Sequence, residues 1–481
     1  MQSRFSGAIS LLIAQAVVLL LGWITHPIIG RVLGPGSYGL YGVVLSIQTI
    51  LGLFLALGVP VAISRFVAQD TNHARSILRQ AIRIQIVFAF LLSITVFLFS
   101  SVIANLLGDS NLTNLIRFVA LVLLLQSGYP VFVQYLSGMH RFNRQAMLTS
   151  TYAVIKLMGA LSLIYVFGVY GAFAGFAIGG FVAAIIGWVW TKKIGGTTPK
   201  PLPIKSFLSF AGTYVLILVC LQLLISLDLF MVKALLKDNV TAGYYSAAVT
   251  LSRISFMLLQ SLTFVLLPSV SALTKPGASR EKAVNFIGSS LRYLIIIIVP
   301  GAVLASTTSE SLIRLFYSTQ YDPAAGALSI LMIGLACIAF FQLLANIVAG
   351  AGKAYMALIG TIVLLFVSLL LGFVLIPKFG MIGAAWQTTI SGILGLLGLS
   401  LYTFKSFQIP VPYKSIFNVV VASIIIVLPT YIWKVHPFVL PFQFIVLFAL
   451  YFTVLFLLKE ITMEDRRLVA SLHPKLQWLA K

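Results

Sequence analysis

The sequence predicts an all-α integral membrane protein with about fourteen transmembrane helices, and three observations carry that expectation. First, 60% of the 481 residues are hydrophobic and only 9% are charged, with a mean hydropathy of +1.07. A soluble domain of this length carries far more charged surface. Second, apolar runs long enough to cross a bilayer, about 20 residues each, recur from end to end. The bilayer core offers no water to backbone groups, so such runs close their hydrogen bonds internally as helices. A membrane β-strand would alternate apolar and polar residues, and runs such as Leu294 to Val299 do not. Third, the basic residues are distributed unevenly between the segments that join the runs.

The spans are expected at 8–27, 38–62, 82–105, 115–137, 147–167, 170–190, 207–232, 241–267, 288–309, 325–350, 355–376, 380–403, 414–433 and 438–458. The apolar run from Ala8 to Ile24 is long for a signal peptide and is read as the first span. Turn signals mark the breaks: Leu33-Gly34-Pro35-Gly36, Gly108-Asp109-Ser110-Asn111, Lys275-Pro276-Gly277 and His436-Pro437. With the N-terminus in the cytoplasm, 23 of the 32 Lys and Arg residues fall in inner segments and 7 in outer ones. The remaining two, Lys156 and Arg253, lie within spans. This bias predicts that both termini are cytoplasmic and that the number of spans is even.

Residues 137–180 and 349–392 match at an offset of 212: Gly138 with Gly350, Gly168 with Gly380, Gly171-Ala172 with Gly383-Ala384, and Gly180 with Gly392. Near the start of each half, Gly39-Leu40-Tyr41 resembles Gly243-Tyr244-Tyr245 at an offset of 204. Six spans followed by six in the same orientation form a parallel repeat, an arrangement in which transporters bind substrate between the halves and rock one against the other. The expected organisation is an N-terminal lobe (1–190), a cytoplasmic linker (191–206) rich in Gly and Pro, a C-terminal lobe (207–404), two additional helices (405–458) and a cytoplasmic tail (459–481) lying on the inner membrane surface.

The net charge of +22 sits in short loops between spans, so it reads as positive-inside bias and not as a nucleic-acid footprint. Cys220 and Cys337 lie in spans and give neither a disulfide framework nor zinc spacing. There is no P-loop, no metal-ligand cluster and no large loop with grouped carboxylates. The sequence therefore predicts neither an enzyme nor a cofactor.

The stretch Arg31-Val32-Leu33-Gly34-Pro35-Gly36-Ser37-Tyr38-Gly39-Leu40-Tyr41, the stretch from Leu57-Gly58-Val59-Pro60 to Ser64-Arg65-Phe66-Val67-Ala68, and Ala242-Gly243-Tyr244-Tyr245-Ser246-Ala247-Ala248 resemble the polysaccharide-biosynthesis and stage V sporulation protein B-like exporters of the multidrug/oligosaccharidyl-lipid/polysaccharide (MOP) flippase superfamily. The resemblance implies two six-helix lobes around a central cavity, a polyprenyl-diphosphate-linked oligosaccharide as cargo, export from the cytoplasmic leaflet of the cell membrane, and no covalent chemistry. Fourteen spans resemble the lipid II flippase and sporulation branches more than the twelve-span O-antigen branch. The lipid II flippase branch has cavity arginines at positions resembling Arg253, Arg31 and Arg65. An acidic residue usually precedes the first of these, where this chain has Ser252, which leaves the partner of Arg253 open.

The residues themselves point the same way. A charge inside the membrane costs a few kcal/mol unless it faces a wet cavity or a partner. Arg253 and Lys156 suit a diphosphate, arginine as a bidentate donor and lysine as a point charge. The bland reading of Arg31 and Arg65 is interfacial anchoring. Asp228, the one acidic residue within a span, is read as a structural or gating pair, with Lys233, a coupling cation or a cavity arginine as alternative partners. His26, beside Pro27, is read as capping the end of span 1, although it could titrate near neutral pH. Pro60, Pro130, Pro268 and Pro300 are candidate hinges. Arg75, Arg79 and Arg83 recur every four residues, which suits a helix face on anionic lipid at the inner surface.

Three functions fit: a flippase for a lipid-linked saccharide, a multidrug or organic-cation antiporter of the same superfamily, and a scaffold that recruits polysaccharide-assembly enzymes. A monomer is the default oligomeric state.

Overall fold

A computed structural model describes residues 2–196, 198, 204–257, 259, 280–409, 411–433, 435–462 and 465. Among these residues the regular structure is helical, with no strand. The helices are α1 (Gln2–Leu57), α2 (Val59–Gln69), α3 (Ala74–Leu106), α4 (Leu112–Gln126), α5 (Gly128–Gly138), α6 (Phe142–Thr191), α7 (Ile204–Leu236) and α8 (Asn239–Ser252). They continue as α9 (Arg280–Thr307), α10 (Ser309–Phe316), α11 (Ala324–Val348), α12 (Ala354–Phe407), α13 (Tyr413–Ile432) and α14 (Leu440–Leu457). Pro268, the Lys275-Pro276-Gly277 turn, Pro199, Pro201 and Pro203 of the linker, Lys434 and the tail beyond Asp465 lie outside the described residues.

Helices of 56, 50 and 54 residues (α1, α6, α12) are too long to cross a bilayer once, since about 20 residues suffice. Each is broken by a glycine in a left-handed conformation: Gly34 (φ 70°), Gly168 (φ 55°) and Gly380 (φ 59°). No other residue type adopts these angles without strain. The described helices are thus compatible with fourteen spans. The first span was expected to end at His26-Pro27, but α1 runs through both residues to the Gly34 break. A proline removes one hydrogen bond and can be carried inside a membrane helix, so His26 is an interior helix residue and does not cap a helix end. Pro60 follows the break at Gly58, and Pro130 follows the break at Ser127. Pro300 sits inside α9, which is continuous. The buried Gln85 of α3 bridges the two breaks. Its Nε2 donates to the Leu55 carbonyl at 2.9 Å and the Ser127 carbonyl at 3.1 Å, supplying acceptors that broken helices leave open.

The internal repeat is carried in the backbone. Gly168 (φ 55°, ψ −131°) and Gly380 (φ 59°, ψ −136°), paired at the 212-residue offset, adopt the same conformation. Gly171 and Gly383 then meet equivalent atoms. A Cβ on the first would lie 2.1 Å from the Leu163 carbonyl oxygen, and on the second 2.1 Å from that of Leu375. The two helix hairpins close through the same contact.

The chain divides into two compact units. The first comprises Met1–Leu251, Phe316–Ala327 and Ala354–Thr388, and the second Ser252–Leu315, Leu328–Lys353 and Thr389–Lys481. In the first, α2, α3, α5 and α6 share a buried core that includes Val59, Ile63, Leu78, Tyr135 and Leu148. In the second, α9, α13 and α14 pack around Leu304, Val419, Leu447 and Tyr451.

The second unit also holds an ion cluster that the sequence did not announce. Arg292 of α9 donates through Nε to Glu460 at 2.9 Å and through Nη2 to Asp465 at 2.9 Å. Asp465 also accepts from the Tyr293 hydroxyl at 2.6 Å, and Glu460 from the Asn418 amide at 2.8 Å. This cluster ties the segment after α14 to α9 and α13. Burial raises the Asp465 carboxyl, but hydrogen bonds from Arg292, Tyr293 and Thr462 outweigh it and hold it below the usual carboxylate range. Arg292→Met leaves the side chain of Glu460, only 3% exposed, without its cation. The expected result is a loss of about 3–5 kcal/mol, read as a lower thermal unfolding midpoint in detergent; an unchanged midpoint would refute the assignment.

Candidate functional site

The site grows from a close helix crossing within the first unit. The part of α1 after Gly34 crosses α8 at two glycines related by the 204-residue offset. A Cβ on Gly39 would stand 2.1 Å from the Asn239 carbonyl oxygen, and one on Gly243 would stand 1.9 Å from that of Pro35. Asn239 is the offset partner of Pro35, so each helix approaches the other through the same pair of positions. Small residues permit this approach between membrane helices. Gly243→Ala is therefore expected to lower the thermal midpoint sharply, at the upper end of ordinary point substitutions, about 3 kcal/mol or more. Retention of the wild-type midpoint would show that the crossing can relax.

The crossing buries two tyrosines at equivalent places. Tyr41 lies with its hydroxyl 2.9 Å from His26 Nδ1 of the preceding span. Tyr245 donates to Asp228 Oδ2 of α7 at 2.7 Å, and Thr388 donates to the same oxygen at 2.7 Å. Asp228 Oδ1 accepts the Leu229 backbone N–H at 2.7 Å. Each half thus joins an ionisable residue on its first helix to a tyrosine on its second.

Around this crossing, residues of the first 190 positions are tied to later ones. Tyr38 shares a hydrogen bond of 2.8 Å with Tyr317. Tyr321 donates to the Gly30 carbonyl at 2.7 Å, and Trp23 Nε1 to that of Thr250 at 3.1 Å. Lys233 of α7 reaches Asp109 Oδ2, in the turn after α3, at 2.7 Å and is also bonded by Asn239. The Lys233 and Asp109 side chains are 1% and 10% exposed. Burial raises the Asp109 carboxyl, but the hydrogen bond and charge of Lys233 outweigh it and lower its pKa. Of the partners weighed for Asp228 in the sequence, Lys233 is held instead by Asp109 and Asn239.

Lys156 stands apart from these ties. Its Nζ lies 4.2 Å from the Phe176 ring centroid and 6.0 Å from that of Tyr152, which stacks on Tyr129 at 4.3 Å. Among the described residues its ammonium has no hydrogen bond and no carboxylate. Cation–π contact is the whole of its stabilisation from them, of order 0.5–2 kcal/mol, which falls short of a hydrogen-bonded ion pair. Arg31 precedes the Gly34 break and Arg65 lies in α2, and both are exposed. Lys156 touches neither. Arg253 belongs to the second unit, half-buried at a turn after α8 where the helix resumes at 254–257. Among the described residues no three His, Cys, Asp or Glu side chains are grouped to hold a metal.

Residues 5–274 match the polysaccharide biosynthesis protein family. The chain belongs to that family. It is 27% identical over 385 residues to the uncharacterized membrane protein MJ1068 of Methanocaldococcus jannaschii, with 74% of each chain covered. Its fold is that of the lipid II flippase MurJ in an inward closed conformation, with a TM-score of 0.76 at 16% identity, covering 95% of this chain and 99% of that one. It is also that of an inward-facing multidrug resistance MATE family transporter of the MOP superfamily, with a TM-score of 0.63 at 16% identity over 82% and 95% of the two chains. The protein is accordingly a multi-pass membrane protein of the polysaccharide biosynthesis protein family, and it shares its fold with MurJ and with the MATE family transporter.

Lys156 and Arg253 stand out in the sequence as intramembrane charges, whereas Asp109, Tyr245 and Thr388 do not. Asp109 was legible only as a turn residue, and Tyr245 only as part of a family-like stretch.

Proposed function

We propose that this protein moves a lipid-linked saccharide with an anionic diphosphate linkage across the cell membrane by alternating access. The observation that carries this reading is Lys156, an ammonium within a span that rests on aromatic rings and has no carboxylate among the described residues. A cation held this way is costly unless an anion visits it, and a diphosphate is such an anion. Arg31, Arg65 and Arg253 are the further cations assigned to the cargo, arginine offering two-pronged contact to phosphate oxygens. The Lys/Arg asymmetry supports cytoplasmic termini, and the family resemblance implies export from the cytoplasmic leaflet. In this reading the ties Lys233–Asp109, Tyr38–Tyr317 and Tyr321–Gly30 form a closed gate that opens once per cycle.

Asp228 supports a second reading. A buried carboxylate capped by Tyr245 and Thr388 is a candidate for proton or cation coupling, which suits an organic-cation antiporter. Reconstitution separates the two. Proteoliposomes containing a fluorescent polyprenyl-diphosphate oligosaccharide should show protein-dependent flipping that Lys156→Glu reduces at least about tenfold. If no such lipid is flipped and expression raises drug resistance that Asp228→Asn removes, the antiporter reading replaces the first.

A further inference from the structure

The first unit contains a second feature that the transport reading does not use. An apolar groove of about 680 Å³ runs between the break at Gly58, one face of α3 and the side of α7. Ile84, Val87, Phe88 and Leu91 of α3 line it at helical spacing, with Phe54 and Val215 opposite. Among the described residues, Arg83 is the charged residue on its wall. The α3 wall from Ile84 to Leu91 is about 10 Å long at 1.5 Å per residue.

The arginines leading to the groove are not equivalent. Arg75 is half-buried and donates to the Ile194 carbonyl at 3.4 Å, so it serves the packing of α3 on the end of α6. Arg79 and Arg83 lie one turn apart on α3, both exposed, and neither has a hydrogen-bond or ion-pair partner among the described residues. Arg83 thus stands on the wall of an apolar channel beside a membrane-spanning helix, with Arg79 one turn before it on the same helix. A convex lipid-facing surface needs no channel, and a basic loop attracting lipid headgroups generally needs no apolar wall beside it.

We propose that this groove binds an anionic phospholipid, with one acyl chain between α3 and α7 and the phosphate at Arg83 and Arg79. The charge of the rim selects the headgroup, each basic residue adding about 1 kcal/mol of attraction to an anionic lipid surface. The apolar wall selects a chain and excludes a free phosphate or an acidic peptide. The site is separate from Lys156 and does not depend on the identity of the cargo.

The test is native mass spectrometry of the full-length protein taken from vesicles of phosphatidylglycerol and phosphatidylcholine. The wild type should retain one phosphatidylglycerol in preference to phosphatidylcholine. Arg83→Gln should cut that retention about fivefold, and Arg83→Lys should restore most of it. Leu91→Trp, which fills the groove while leaving the arginines intact, should also cut retention. Thermal midpoints measured alongside show that each variant is folded. Phe90→Trp, exposed on the same helix and outside the groove lining, is the control and should retain lipid as the wild type does. Equal retention by wild type, Arg83→Gln and Leu91→Trp overturns the proposal. So does equal retention of the two phospholipids by the wild type, or stoichiometric displacement of phosphatidylglycerol by an equimolar isoprenyl phosphate, which would assign the groove to another lipid.

Discussion

Lys233→Met is expected to destabilise the protein by about 3–5 kcal/mol, the usual consequence of removing one member of a buried ion pair. Lys233 and Asp109 are 2.7 Å apart with side chains 1% and 10% exposed. Taking away the ammonium strands the carboxylate and leaves the Asn239 side-chain oxygen without its donor. Replacing both charges, Lys233→Met with Asp109→Leu, should recover much of the loss, because an apolar pair avoids the desolvation cost of two charges. Unfolding of the two single variants and the double variant in detergent gives the coupling directly. Additive effects would show that the pair contributes nothing of its own. The same pair sets an acid limit. The Asp109 carboxyl has its pKa lowered in the folded state, where Lys233 outweighs burial. Its contribution is therefore complete above the ordinary carboxylate value, near 4, and is lost as pH falls through the lowered folded value. The gap in stability between wild type and Asp109→Asn should be constant at neutral pH and close under acid.

Lys156→Glu is expected to reduce flipping of an anionic lipid-linked saccharide by at least about tenfold, equivalent to ~1.4 kcal/mol. The substitution places a carboxylate against the Phe176 ring face, where the quadrupole repels it, and in the path proposed for a diphosphate. Lys156→Met separates two roles. If the lysine serves only the packing of its helix on Phe176, Lys156→Met should lower the thermal midpoint and leave transport per folded molecule unchanged. If it meets the cargo, Lys156→Met should remain folded and weaken half-saturation, with Lys156→Arg retaining most activity. Transport assays paired with thermal midpoints distinguish these outcomes. Unimpaired transport by Lys156→Glu would remove this residue from the cargo site.

Much of the fold was legible along the chain because membrane insertion is a local constraint. Each span must satisfy its own backbone hydrogen bonds, so length and apolarity reveal it without reference to neighbours. Gly34 was legible as part of a turn signal, whereas Gly168 and Gly380 were legible only as matched positions of the repeat; that they break helices at left-handed angles came from the structure. The end of the first span was misplaced because Pro27 reads as a terminator in water, whereas a membrane helix carries it to Gly34. Lys156 and Arg253 were also legible, since a charge in an apolar run is conspicuous wherever its helix packs.

Partners were not legible. Nothing local links Asp109 to Lys233, Asp228 to Thr388, or Arg292 to Glu460 and Asp465, which are separated by 124, 160, 168 and 173 positions. Hydropathy and spacing alone fix that this chain crosses the membrane many times, and they single out Lys156 and Arg253 as charges in apolar runs. Which charges are neutralised is settled by packing. The cost of a buried charge depends on what stands a few ångströms away in space, and that neighbour comes from far along the chain, as Asp109 does for Lys233 at a separation of 124 positions.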